Sequence, residues 1–203
     1  NYKTPLQMIA NHQLSQKDHI KLYKKCKKNK IDYLCTGFDL QSVKFLNENF
    51  DLKYFKIASG EIFSIDILEY ISKFNKPIIL STGMAKFDEI SQTIKILNSN
   101  FKKNITLLHC ISNYPAKINK VNLNVMNKLK ELFDYPVGFS DHTETILSSI
   151  IAVSMGAMII EKHVTFDKKL KGPDHKASST IEEFKQLVSE IRKVELIKGN
   201  TKN

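Results

Sequence analysis

Short apolar runs alternate with amphipathic segments along most of this chain of 203 residues. Each run is followed by a segment with helical periodicity, and the last such segment, near residues 180–196, is the longest. The runs with β-strand character lie at residues 31–39, 53–61, 76–84, 105–112, 135–143 and 157–165. Alternation of this kind is typical of α/β folds in which helices cover a parallel sheet.

Polar side chains stand near the end of every one of these runs. In an open doubly wound sheet, functional residues gather at one switch point, whereas chemistry at the end of every strand is typical of a (β/α)8 TIM barrel. No G-x-G-x-x-G motif follows a strand, which disfavours dinucleotide binding. The pattern therefore favours a barrel. The strand-end residues are Thr36, Ser59, Glu61, Ser81, Thr82, His109, Ser112, Ser140, Asp141, His142, Glu161, Lys162 and His163.

The number of strands is too small for a closed barrel. A (β/α)8 barrel needs eight strands, six are predicted here, and residues 1–13 resemble a loop and a helix, not a first strand. We therefore expect one domain over residues 1–203, an incomplete TIM barrel of about six βα units that supplies strands three to eight.

Basic residues outnumber acidic ones, 31 against 21, for a net charge of +10. Such a balance raises nucleic acid or an anionic substrate as a partner. Arg192 is the only arginine, however, and bidentate reading of bases depends on guanidinium groups. The lysines are also spread over the whole chain, so we expect no nucleic-acid partner.

Several features predict a cytoplasmic protein with no membrane segment. No apolar run approaches the roughly 20 residues that span a bilayer, and residues 1–10 carry no signal-peptide pattern. Cys26, Cys35 and Cys110 form no C-x-x-C motif, and an odd, scattered set suits a reducing compartment. Cys110 lies inside an apolar run and is predicted to be a packed core thiol.

His142 and His163 end consecutive predicted strands, each next to an acidic residue or one residue away from it. Neighbouring strands lie about 4.8 Å apart, so two inward imidazoles can share one cation such as Mn²⁺, Zn²⁺ or Fe²⁺. Two interpretations remain open from the spacing alone, a metal site and a pair of hydrogen-bonded structural histidines.

Lys56 lies in the middle of a predicted strand, where an ammonium group is costly to bury unless it is paired. It either faces outward between barrel and helix, or faces inward and binds an anion together with hydroxyl groups at neighbouring strand ends. Singly, such hydroxyls more often cap helices. Tyr114 and Asp174 lie on loops that are predicted to cover the mouth.

Six motifs, in this order, resemble those of the sialic acid synthase family. They are FKIASGE, IILSTGMA, LLHCISNYPA, VGFSDHT, IIEKHVT and GPDHKAS, and the resemblance extends from about Leu6 to Leu196. The last motif is closer to the neuraminic and legionaminic acid synthases than to the pseudaminic branch.

This resemblance implies an enzyme that condenses phosphoenolpyruvate with an N-acylated hexose to give a nonulosonic acid and phosphate. It implies that His142 and His163 hold Mn²⁺ or Mg²⁺, with Glu161 as an acid beside the metal, and that Tyr114 and Asp174 contact the sugar. The residues that it implies for phosphoenolpyruvate are Lys56, Ser59, Ser81, Ser140, Thr36 and Ser112. At Thr36 the chain has CTGFD in place of the usual STPFD.

The resemblance also implies parts that this sequence does not contain, namely the first two strands and a C-terminal antifreeze-like domain. We expect the full-length parent to be a homodimer. Two alternatives remain, another phosphoenolpyruvate-dependent 3-deoxy-keto-sugar synthase and an inactive fragment that acts as an assembly partner. A single arginine disfavours the former, because those enzymes usually use an arginine-rich phosphate clamp.

Overall fold

The computed structural model describes residues 13–199, and the loop or helix expected at the start of the chain lies outside them up to residue 12. Within this range the core is a five-stranded parallel sheet in the order β1-β2-β3-β4-β5. The strands are β1 Phe55–Ile57, β2 Ile78–Ser81, β3 Ile105–Cys110, β4 Val137–Asp141 and β5 Ile160–Lys162.

Helices precede the sheet and connect its strands. They are α1 Gln16–Lys28, α2 Leu40–Asn49, α3 Ile65–Ser72, α4 Phe87–Leu97, α5 Asn124–Phe133, α6 Leu147–Ser154 and α7 Ile181–Lys198, with short 3-10 turns at Ser59–Glu61 and Ile118–Lys120. Ser15 caps α1, because its Oγ accepts a hydrogen bond from the Asp18 amide. None of the described helices combines the length and the apolar character that crossing a membrane demands.

The strand predicted at residues 31–39 is wrong. Residues 31–37 have no regular secondary structure and form no ladder, and among the described residues β1 is hydrogen-bonded only to β2. Tyr33 of this segment packs instead against a small separate cluster, with its ring 5.2 Å from that of Phe50, while Ile31 stays exposed. The described part therefore contains five strands, each shorter than predicted.

One side of the sheet carries the main hydrophobic core. Alternate strand residues point to opposite sides, and Ile57, Leu80, Leu107 and Phe139 pack with helical residues in a single cluster. The helices α3 to α6 contribute to this cluster, so they cover the outer side. The other alternating set, which includes Lys56, Ser81, Ser140 and Glu161, points to the inner side.

The sheet is curled into a half-barrel. In a flat sheet, β1 and β5 would lie about 19 Å apart, four strand spacings. The Lys56 ammonium on β1 is nevertheless 3.4 Å from a Glu161 carboxylate oxygen on β5. The strand ends therefore converge on their inner side, which confirms the α/β barrel class in its partial form.

Candidate active site

Residues from four strands form one polar chain on the inner side of the sheet. Lys56 Nζ donates a hydrogen bond to Ser81 Oγ at 2.9 Å and lies 3.4 Å from Glu161 Oε2. Ser140 Oγ donates to the other carboxylate oxygen, Glu161 Oε1, at 2.7 Å. Lys56 is buried among these partners, so of its two predicted orientations the structure adopts the inward one.

His142 extends this chain toward the mouth. Its Nδ1 lies 2.8 Å from the Ile111 carbonyl oxygen, an acceptor, so Nδ1 carries the proton. Its Nε2 is therefore left with a free lone pair, 3.4 Å from Ser140 Oγ. Burial lowers the pKa of His142, which favours the neutral imidazole that metal coordination needs.

The second histidine stands beside the first. The ring centroids of His142 and His163 are 5.4 Å apart, and the Tyr114 ring lies 4.1 Å from His142 and 5.8 Å from His163. Asp174 Oδ2 approaches His163 Nδ1 at 4.0 Å. These four side chains come from three different strand–helix connections or strand ends, so the barrel fold itself brings them together.

The donor set of the two imidazoles is compatible with a divalent cation that keeps most of its other positions for water or substrate. In metal-bound histidines the ring nitrogen that does not bind the metal usually donates to a carbonyl or carboxylate oxygen, and His142 Nδ1 has such an acceptor in the Ile111 carbonyl oxygen. Within residues 13–199, however, no three His, Cys, Asp or Glu side chains are placed to hold a metal together. A cation here would thus rest on two protein ligands from the described part of the chain.

A tight turn after β2 brings two further hydroxyls together. Gly83 has φ +50°, and a Cβ atom there would lie 2.4 Å from the Cβ of Ser59 and 3.2 Å from the Oγ of Ser112. Glycine is therefore required both by the backbone and by the close approach. Ser59 and Ser112 thereby border the same turn, next to the Lys56 chain.

Cys110 also belongs to this inner side. Its Sγ accepts a hydrogen bond from the Gly83 amide at 3.2 Å, and the charges of Lys56 and Glu161 both act on it. The expectation of a buried thiol is confirmed, and burial raises its pKa. Cys110 is in register with Ser140 and shares its side of the sheet, so this core thiol also lies next to the inner polar chain.

Thr36 lies apart from the Lys56 chain. It lines a cavity of about 1030 Å³ that His163 and Asp174 also line. The cavity lies between the extended segment that precedes α2 and the end of β5. The cavity is large enough for a sugar-sized molecule, and His163 of the histidine pair lines it.

His109 does not belong to the mouth, although it stands near the end of a strand. Its ring Nε2 lies 2.7 Å from the Val121 carbonyl oxygen, and the ring stacks on Phe139 at 5.8 Å. Alternation explains the difference, because His109 and Cys110 must point to opposite sides. His109 Nδ1 is the one side-chain polar atom of the described residues that is buried without a hydrogen-bond partner.

A buried ion pair lies directly behind the histidine pair, on the outer side. Lys162 Nζ is 3.2 Å from Asp141 Oδ2, and both side chains are almost fully inaccessible. Ser149 Oγ donates to the same carboxylate oxygen at 2.6 Å, and the Thr143 amide donates to the other at 2.8 Å. The pair, which sequence reasoning missed, ties the ends of β4 and β5 together one residue away from each histidine.

The geometry defines a half-barrel of the TIM type whose mouth carries a buried lysine, strand-end hydroxyl groups and two histidines. The NeuB family matches the chain over residues 1–203, and the chain belongs to this family. The resemblance read from the six motifs is thus confirmed at the level of the family.

Two curated relatives and one solved structure illustrate the match. The chain is 48% identical over 202 residues to N,N'-diacetyllegionaminic acid synthase of Campylobacter jejuni, covering 98% of this chain and 60% of that protein. It is 37% identical over 181 residues to pseudaminic acid synthase of Helicobacter pylori, covering 89% and 53%. The sialic acid synthetase of Leptospira borgpetersenii, solved with citrate, superposes with TM-score 0.91 at 33% identity, covering 97% and 68%.

Proposed function

We propose that the protein to which this chain belongs condenses phosphoenolpyruvate with an N-acylated hexosamine, giving a nonulosonic acid and inorganic phosphate. The relatives are synthases of sialic, legionaminic and pseudaminic acids, which supports this reaction class. The chain spans about half to two thirds of the length of these relatives, so the activity is proposed for the whole protein.

The observation that carries the proposal is the inward Lys56. A buried ammonium that also bonds Ser81 and lies beside Ser140 offers a cationic and hydroxyl-lined place for an acidic substrate. We assign phosphoenolpyruvate to this place. Ser59 and Ser112 extend it at the Gly83 turn, and Thr36 lines the cavity that His163 and Asp174 also line.

His142 and His163 are the residues that would hold Mn²⁺ or Mg²⁺, a group that would supply Lewis-acid polarisation of the sugar aldehyde. Tyr114 and Asp174 stand around the same pair and are assigned to the sugar. Burial raises the pKa of Tyr114, so its hydroxyl stays protonated and can donate to a sugar oxygen.

The reaction forms one carbon–carbon bond and, at carbon 2, replaces the carbon–oxygen bond to phosphate with one to the oxygen of water. Carbon 3 of phosphoenolpyruvate attacks the open-chain aldehyde carbon, whose oxygen takes up a proton. Water adds to carbon 2, and loss of phosphate from that carbon leaves the keto acid. The chain's own groups orient the two substrates: Lys56 and the hydroxyls bind one, and Tyr114 and Asp174 bind the other.

The sugar and the setting are parts of the same proposal. The 48% identity to an N,N'-diacetyllegionaminic acid synthase favours a hexose that carries two N-acetyl groups. We propose a cytoplasmic homodimer that acts on small molecules and has no nucleic-acid partner, since the excess lysines are scattered along the chain.

The test is phosphate release from phosphoenolpyruvate by the full-length protein with Mn²⁺ and hexosamines that carry one or two N-acetyl groups. We expect release only when a sugar is present, fastest with the doubly acetylated one, and a product with the mass of the condensed acid. Release only with phosphorylated aldoses would contradict the proposal and favour a 3-deoxy-keto-sugar phosphate synthase.

A further inference from the structure

Glu161 occupies the donors that an anionic substrate would need. Its two carboxylate oxygens take up one contact each, Oε2 with Lys56 Nζ at 3.4 Å and Oε1 with Ser140 Oγ at 2.7 Å. In an arrangement without this carboxylate, Lys56 and Ser140 would present a free cation and a free hydroxyl on one side of the sheet. The Glu161 carboxylate thus stands where the carboxylate or phosphate of a substrate would bind.

The two residues of the Lys56–Glu161 contact differ in how exposed they are and in how many other partners they have. The Lys56 side chain is 6% exposed and keeps two other hydrogen-bond acceptors, Ser81 Oγ and the Ile57 carbonyl oxygen. The Glu161 side chain is 40% exposed, and its only partners among the described residues are Lys56 and Ser140. When the contact opens, Glu161 can move into water at little cost while Lys56 stays in place.

We propose that Glu161 screens the anion site: it competes with every anion for Lys56 and Ser140, and so raises the affinity that a ligand needs in order to bind. This inference rests on the proposed function, since the favoured ligand is phosphoenolpyruvate. Every anion must displace the carboxylate before it can use both donors. A small anion with no further contacts gains too little to do so, whereas a ligand that also reaches other groups of the site can displace it.

A consequence concerns inorganic phosphate, which the proposed reaction releases. Once the carbon–oxygen bond to phosphate is broken, phosphate has lost the contacts made by the rest of the substrate. Glu161 can then return to Lys56, so the same competition disfavours retention of the product. The screen therefore acts against small anions before and after turnover.

The test measures binding of inorganic phosphate and of phosphoenolpyruvate by calorimetry, in metal-free buffer, to wild type and to Glu161→Gln. Glutamine keeps the shape and a hydrogen-bonding group for Ser140 but removes the charge. We expect both anions to bind about tenfold more tightly to Glu161→Gln, a gain of ~1.4 kcal/mol. Glu144→Gln, which removes an exposed carboxylate after β4, is the matched control and should bind as wild type.

A second pair of variants shows whether Glu161 weakens anion binding by contacting Lys56 or only by repelling the anion. In a Lys56→Gln background there is no ammonium to occupy, so adding Glu161→Gln should change anion affinity by no more than about twofold. An equal gain with and without Lys56 would overturn the proposal, because it would show repulsion alone. Unchanged or weaker binding to Glu161→Gln, with a native circular dichroism spectrum, would overturn it as well.

The two anions distinguish this inference from the proposed function. Tighter phosphate binding to Glu161→Gln without any binding of phosphoenolpyruvate would support the screen and contradict the substrate assignment. Equal binding of phosphoenolpyruvate to both proteins would contradict the screen and keep the substrate. If neither anion binds to either protein, both proposals fail.

Discussion

Two polar networks lie back to back at the ends of β4 and β5, and they differ in what surrounds them. On the outer side, Asp141 and Lys162 are almost fully buried, and both oxygens of the carboxylate accept hydrogen bonds. On the inner side, Lys56 faces Glu161, which is 40% exposed. The saturated pair has nothing left to bind a ligand, whereas the inner pair can be opened. On adjacent residues of one strand, Lys162 thus has a structural role, whereas Glu161 belongs to the network for which a binding role is proposed.

Breaking the outer pair should give the largest change in stability. Lys162→Met leaves the Asp141 carboxylate buried without its cation, which typically costs about 3–5 kcal/mol. Lys56→Met leaves Glu161 free to be hydrated, so we expect a loss of no more than about 1 kcal/mol. Urea unfolding of the two variants against wild type measures both values. Similar losses from the two substitutions would contradict the distinction between the networks.

Two serines give a matched comparison at the next level, because each donates a hydroxyl to a carboxylate. Ser149→Ala removes a buried hydrogen bond to Asp141, and we expect a loss of about 1.5–3 kcal/mol in unfolding free energy. Ser140→Ala removes a donor to the half-exposed Glu161, and we expect a smaller loss in stability but weaker binding of phosphoenolpyruvate. Denaturation and calorimetry on both variants test this, and the reverse order of effects would count against the account.

The smallest predicted effect is a change of folding stability with pH. Burial lowers the pKa of His109 from its ordinary value of 6.5, so below that value the unfolded chain binds a proton that the folded chain excludes. Stability should therefore fall as the pH is lowered from 7 to 5, with a contribution of the same sign from His142. His109→Gln should make this fall shallower, as measured by urea unfolding at both pH values. An unchanged slope would show that His109 does not contribute.

The class of fold and most of the mouth could be predicted from the sequence. Strand–helix alternation defines a parallel sheet, and polar residues at successive strand ends predict a mouth. The prediction of a strand at residues 31–39 was wrong because apolar composition does not reveal whether a partner strand is present. Tyr33 instead found aromatic neighbours, which no local pattern indicates.

The side of the sheet to which each strand-end side chain points was harder to predict than the fold class. Alternation with a period of two could have separated His109 from Cys110, and Asp141 from His142, once the strand boundaries were known. The pairing of Lys162 with Asp141 needs the register of β4 on β5, which the sequence alone does not supply. The ion pair between Lys56 and Glu161 depends on the curl of the sheet, which is a property of the whole fold.

The most direct test of the account asks which side of the strand ends binds ligands. Mn²⁺ binding, followed by electron paramagnetic resonance, should be lost in His142→Gln and in His163→Gln. It should persist in His109→Gln, whose side chain lies on the outer side of the same sheet. Retention of Mn²⁺ by His142→Gln, or equal loss in His109→Gln, would contradict the assignment of the inner side as the binding site.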